Sequence, residues 1–329
     1  VRYLRANDKI MAGDAKKIIS NGTSAGGALS ALLGSSGDAA DYLPELHRLG
    51  AANSSDRIFA VSAYCPITNL EHADAAYEWQ FNGVNDYQKI SIQSLDYRVE
   101  RKLIKGTQTA EQIALSNKLK PLFPAYVNSL KLKNSQGMPM TLTADGNGSF
   151  KKQIEQMLVQ SAQTALNAGT DLGNPNWLKV ENGKVISADF DAYARAVGRQ
   201  KTAPAFDGVD LSTGENNLFG DEKHANKHFT EFGTQNSTVA NAETADKHIV
   251  KQMNAMNYIS SNSGAQHYRI RHGANDRDTS LAIPTLLALQ LRQAGKNVDF
   301  ALPWGVSHSG DYDLEELFAW AKKVSTSQP

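Results

Sequence analysis

Residues 17–37 read KIISNGTSAGGALSALLGSSG, and this stretch decides the fold. Lys17 to Ser20 is a short apolar run that leads into a Gly-bounded turn, Asn21-Gly22-Thr23-Ser24. Ala25 to Leu33 has the small, apolar composition of a buried helix, and Gly34-Ser35-Ser36-Gly37 carries helix-ending chemistry. A serine in a tight turn between a strand and a helix is the setting in which G-x-S-x-G, here Gly22-Thr23-Ser24-Ala25-Gly26, forms a nucleophile elbow. The flanking residues must be small so that backbone can approach backbone. The helix that follows points its N-terminus at the serine oxygen, where it favours a developing negative charge.

Outward from the elbow, Arg57 to Cys65 (RIFAVSAYC), stopped by Pro66, reads as a buried strand. The same character returns near the end of the chain. Gln266 to Arg271 and Val298 to Leu302 are strand candidates, and Leu281 to Gln293 and Leu314 to Val324 are helix candidates. Strands alternating with helices imply βαβ units and a mostly parallel sheet. Between them the chain is polar and mainly helical in pattern. Ala110 to Leu130 and Lys151 to Ala168 carry helical spacing, and Arg98 to Lys105 reads as a solvated helix face. Leu178 to Ser187 carries Asn182-Gly183 between extended arms, a hairpin signal, and Thr202 to Gly220 reads as a loop. The expected organisation is a core in two parts, residues 1–70 and 266–329, with 71–265 inserted between them.

A nucleophilic serine needs a base, and the base needs an acid to orient it. His308 follows the last strand and Asp276 the one before it, each just past a strand's C-terminal end, where ligands bind in open α/β sheets. The order Ser24, Asp276, His308 is the one this elbow uses, although Asp278 stands two residues on and competes for the acid's role. His224 and His228 could share a helix face, but Ala225 stands where a zinc protease wants Glu, so no metal site is expected. His47, His72, His248, His267 and His272 read as ordinary surface or boundary residues, and Cys65 as an inert buried thiol. Neither a phosphate loop nor a dinucleotide fingerprint is found, and no cofactor is expected.

Composition narrows the classes. The 329 residues carry 34 Lys+Arg and 34 Asp+Glu, so there is no electrostatic footprint for nucleic acid or an anionic membrane. No apolar run reaches the ~18 residues of a membrane helix. A single cysteine excludes an internal disulfide and leaves the compartment open. The chain begins at Val1 in sequence that reads as the middle of a domain.

Four segments together, ISNGTSAGGALSALLG, AVSAYCPITNLEHADAAYEW, RHGANDRDTS and WGVSHSGDYDLEELFAW, resemble bacterial tannases and the related feruloyl esterases of the α/β-hydrolase superfamily. The resemblance implies an α/β-hydrolase-type sheet with a large, mainly helical lid, and a serine esterase acting on galloyl or other phenolic-acid esters. It implies Ser24, Asp276 and His308 as the triad and the Ala25 N–H as an oxyanion donor. It makes Asp278, Lys201 and Glu215 contacts to phenolic hydroxyls, which suits carboxylates that accept and an ammonium that donates. A complete member of this family carries strands ahead of the elbow strand, and a loop among them supplies the second oxyanion donor. Here only Val1 to Lys16 stand there, so the sheet is expected to lack N-terminal strands, to leave the Ile18–Ile19 edge open and to associate with a segment that carries them. The alternatives are a feruloyl or general aryl esterase with the same triad, or a catalytically impaired fragment of such an enzyme.

Overall fold

The computed structural model describes residues 1–95, 98–260, 262 and 264–326. Among these are eight strands: β1 (Ile19–Thr23), β2 (Ala60–Tyr64), β3 (Asp86–Leu95), β4 (Arg98–Thr107), β5 (Leu178–Glu181), β6 (Lys184–Ala188), β7 (His267–Arg271) and β8 (Asn297–Ala301). The chain divides into two compact units. One comprises 1–69, 247–276 and 281–329; the other comprises 70–246 and 277–280.

The first unit is α/β. Its sheet runs in the order β1-β2-β7-β8, and every pairing is parallel. All five residues of β2 are buried, as expected for a strand covered on both faces. The helix Ala25–Ser36 packs on β1 and β2, and Ala282–Gln293 is buried along most of its length. The first helix does not stop at Gly34. It continues through Gly34-Ser35-Ser36 and ends at Gly37, whose φ of 47° is the left-handed value that breaks the ladder. Gly34 serves packing instead, since a Cβ there would lie 2.1 Å from Val61 Cγ2. Among the described residues β1 has one strand neighbour, β2, so its other side is a sheet edge.

The second unit is mainly helical, with two antiparallel hairpins. Its helices include Leu70–Phe81, Ala110–Leu119, Leu122–Ser129, Ser149–Asn167 and Phe190–Val197. Thr109 and Gln112 close a capping box at the start of Ala110–Leu119. Trp79 centres an aromatic core, with ring centroids 5.2 Å from Phe123 and 4.9 Å from Phe190. The β5–β6 hairpin turns through Asn182-Gly183, both at positive φ (51° and 75°) as a tight primed turn requires. Residues 98–105 are strand, not helix. They form β4 and pair along their length with β3, setting Leu103 opposite Ile90. Cross-strand pairing decides their state: β4 is exposed along nearly its whole length, Val99 and Leu103 included, so no buried apolar face marks it in the sequence. Within the stretch read as a loop, Gly214–Leu218 forms one short helix capped by Thr213.

His72 stacks on Tyr126 with ring centroids 3.5 Å apart, and burial lowers its imidazole to about 4. The unfolded chain therefore takes up this proton more readily than the folded one. Stability is expected to fall as pH drops from about 6.5 to about 4, by up to about 3 kcal/mol. Urea unfolding across that range should show the slope in the wild type and a flatter profile in His72→Phe; identical profiles would contradict the assignment.

Candidate active site

The candidate residues of the first unit stand at strand ends: Ser24 follows β1, and the loops bearing Asp276 and His308 follow β7 and β8, while Cys65 follows β2. Ser24 sits at φ 60° and ψ −117°, a strained conformation for a residue with a side chain. It is held by its N–H donating to Tyr64 O (2.9 Å) and by its carbonyl accepting from Ala28 N (3.0 Å). The glycines make room for this. A Cβ on Gly22 would lie 2.1 Å from Gly26 O, and one on Gly27 would lie 2.5 Å from Tyr64 O. Gly26, the last residue of the motif, has nothing within 4 Å of such an atom, so Gly27 carries the steric requirement that the motif assigns to its neighbour.

His308 Nε2 lies 2.8 Å from Ser24 Oγ, and its Nδ1 lies 2.8 Å from Asp276 Oδ2. Asp276 is fully buried, whereas Ser24 and His308 are partly exposed. Backbone bonds tie the loop bearing Asp276 to the loop bearing His308: Ala274 N donates to Pro303 O (2.9 Å) and Asn275 N to Val306 O (2.9 Å). Gly273 allows this approach, since a Cβ there would lie 2.1 Å from Val306 O. Beyond His308, Asp313 binds both Arg269 of β7 and the Tyr64 hydroxyl of β2. Burial, reinforced by the Asp313 carboxylate, pushes the Tyr64 phenol up to about 12. The Ala25 N–H belongs to the first turn of its helix, whose amides have no intrahelical acceptor.

Asp278 lies in the second unit with Lys201 and Glu215. It pairs with Lys201 Nζ at 3.1 Å, and that ammonium also stands 4.1 Å from the centre of the Phe206 ring. Glu215, in the first turn of the helix Gly214–Leu218, interacts with both charges. Burial and the Asp278 carboxylate raise its carboxyl, against the pull of Lys201. Lys201 and Glu215 both line a cavity of about 760 Å³ within this unit. Tyr77 fixes the local backbone: its O–H donates to Arg277 O (2.8 Å) and accepts from Gln200 N and Lys201 N (3.0 Å each). Next to it Arg199 is fully buried and uses its whole guanidinium. It binds Glu78 through two nitrogens (2.5 and 2.9 Å) and also donates to the carbonyls of Phe81, Val84 and Lys201.

A scan of family models and a search of curated proteins find no match. Solved structures do match. The Fusobacterium nucleatum tannase is 52% identical with a TM-score of 0.94, over 98% of this chain and 70% of its own. A Lactobacillus plantarum tannase is 48% identical with a TM-score of 0.95, over 98% and 70%. A tannin acyl hydrolase in complex with ethyl gallate is 49% identical with a TM-score of 0.92, over 98% and 68%. This chain belongs to the tannase family.

In this tannase-family chain the two aspartates have different partners: Asp276 bonds His308, while Asp278 pairs with Lys201. Three histidine readings need correction. His272 is not a boundary residue: it is fully buried, with Nε2 3.6 Å from Asp276 Oδ2. His224 and His228 share no helix face. His228 is buried outside any helix, between Asp207 (2.7 Å) and Ser237 (2.8 Å). Asp207 also accepts from Phe229 N and Thr230 N, so this group ties a loop together. Its members lie 21 and 9 residues apart in the sequence, and no local pattern joins them.

The glycine geometry is directly testable. Gly27→Ala should cost about 1–3 kcal/mol, because its Cβ meets backbone that cannot yield. Gly26→Ala should be neutral or stabilise by up to about 1 kcal/mol through helix propensity. Urea unfolding of the two variants measures both, and equal destabilisation would contradict the packing described.

Proposed function

We propose that this chain is a serine carboxylic-ester hydrolase that cleaves galloyl and related phenolic-acid esters through an acyl-enzyme on Ser24. The observation that carries the reading is the unbroken run Ser24–His308–Asp276, with both contacts at 2.8 Å, in a chain about half identical to tannases. Asp276 accepts the Nδ1–H of His308 and so leaves Nε2 free to take the Ser24 proton. Ser24 Oγ attacks the ester carbonyl, and the Ala25 N–H and the N-terminus of Ala25–Ser36 stabilise the oxyanion. His308 returns the proton to the leaving alcohol, then activates water to release the acid.

In this reading the first unit is the α/β-hydrolase core, and the second, residues 70–246 with 277–280, is the lid inserted into it. Lys201, Glu215 and Asp278 read the phenolic hydroxyls. The solved relatives that hold ethyl gallate and 3,4-dihydroxybenzoate favour a galloyl over a feruloyl acid, since both ligands present adjacent ring hydroxyls. The open edge of β1 supports pairing with a further strand, and a segment that supplies it would also bring the second oxyanion donor.

Ser24→Ala should lower turnover of methyl gallate on the order of 10⁴-fold or more. Truncating Lys201, Glu215 or Asp278 should cost about 1.5–3 kcal/mol in kcat/KM on gallate esters, and much less on benzoate esters. Equal losses on both esters would reject the hydroxyl-reading role. Faster hydrolysis of feruloyl than of galloyl esters would reject the substrate assignment.

A further inference from the structure

We propose that Cys65, Asp276 and His308 form a site for one soft divalent cation of the Zn²⁺ or Cd²⁺ class, and that its binding switches the serine site off. The second half rests on the Ser24 reading above; the first half does not. Cys65 was expected to be an inert thiol, yet it stands at a strand end with the catalytic groups. It follows β2 directly, at φ 36°, and its N–H donates to Arg271 O at 2.6 Å. Its Sγ lies 3.4 Å from the carbonyl of Ser309, the residue after His308. One ligand atom from each of Cys65, Asp276 and His308 lies within 4.8 Å of the other two.

The donor set is chemically coherent. A thiolate, an imidazole nitrogen and a carboxylate oxygen bind zinc at about 2.3, 2.0 and 2.0–2.2 Å, so ligands around one ion stand roughly 3.5 Å apart. To admit the ion, the His308 Nδ1–Asp276 Oδ2 pair at 2.8 Å must open by about 0.5 Å and the wider pairs must close by at most about 1.3 Å, which side-chain rotation can supply. Three protein ligands leave a fourth position for water. Cys65 and Asp276 are fully buried and His308 is partly exposed, so the ion would enter past the imidazole. The thiolate selects soft cations over Mg²⁺ and Ca²⁺.

The chemical consequence follows from the tautomer. The Cys65 S–H bond breaks, a sulfur–metal bond forms and the proton leaves to solvent. The ion takes the Nδ1 lone pair of His308, so the ring's one proton moves from Nδ1 to Nε2. Asp276 exchanges its N–H donor for the metal. Nε2 then faces Ser24 as a donor and cannot accept its proton.

Two measurements test the proposal. The first titrates Ser24→Ala protein with Cd²⁺ and follows the thiolate-to-cadmium absorption band. With one cysteine in the chain, any such band reports Cys65. A band that saturates at one ion per chain, and is absent in Ser24→Ala/Cys65→Ala, is expected; no band overturns the site. The second follows methyl gallate hydrolysis against Zn²⁺ and Cd²⁺. The wild type should be inhibited reversibly by either ion, with chelator restoring activity, and be indifferent to Mg²⁺. Cys65→Ala should need at least 10-fold more metal for the same inhibition. Cys65→Ser serves if the alanine variant does not fold. Cysteine variants as sensitive as the wild type overturn the proposal. A band without inhibition overturns the switch alone and directs doubt to the Ser24 reading.

Discussion

One backbone constraint underlies the site: Ser24 is held at positive φ at the junction of β1 and its helix. A side chain in that region is disfavoured by about 1–3 kcal/mol, and it persists where the surroundings over-determine it. Here they do so twice. The Ser24 N–H is fixed on β2 through Tyr64 O, and Gly22 and Gly27 let three stretches of backbone meet at distances no side chain would permit. The strain is what lifts the serine oxygen out of the sheet and aims it at an imidazole arriving from another strand. The same packing sets where Cys65 stands, because it is the next residue after the strand that holds Ser24.

The imidazole is held with similar redundancy. His308 lies on an irregular loop, and loops are ordinarily the mobile parts of a fold. This one is bound to the Asp276 loop by two backbone hydrogen bonds and to the sheet by Asp313, which meets a buried arginine and a tyrosine hydroxyl on neighbouring strands. Asp276 therefore does not hold His308 in place alone. In the second unit the same economy appears around Tyr77, whose hydroxyl joins the backbones of 200–201 and 277, so that Lys201 and Asp278 meet as a pair.

Much of this was legible in the sequence because it rests on local patterns. Strand–turn–helix around Ser24, the two loops after β7 and β8, and Asn182-Gly183 each announce themselves within a few residues. What was not legible depends on partners far away in the chain. Gly34 reads as a helix stop, but it is a contact with Val61, 27 positions later. Residues 98–105 have helix-compatible composition and become strand by pairing with β3. His272, four residues before Asp276, offered a weak signal in that spacing alone, since the contact depends on a turn between them. Cys65 is buried, as its apolar strand announced; that its thiol stands 3.4 Å from the Ser309 carbonyl depends on a loop 244 residues later.

The central claim is that Ser24 alone carries the acyl group, activated by His308. The most direct test is reaction of the protein with a fluorophosphonate, followed by mass spectrometry of its peptides and assay of the remaining hydrolysis. The account predicts one label per chain, on the peptide that carries Ser24, with activity lost in proportion to labelling, and no label in His308→Ala. A label elsewhere, or full turnover of a galloyl ester by fully labelled protein, would contradict it.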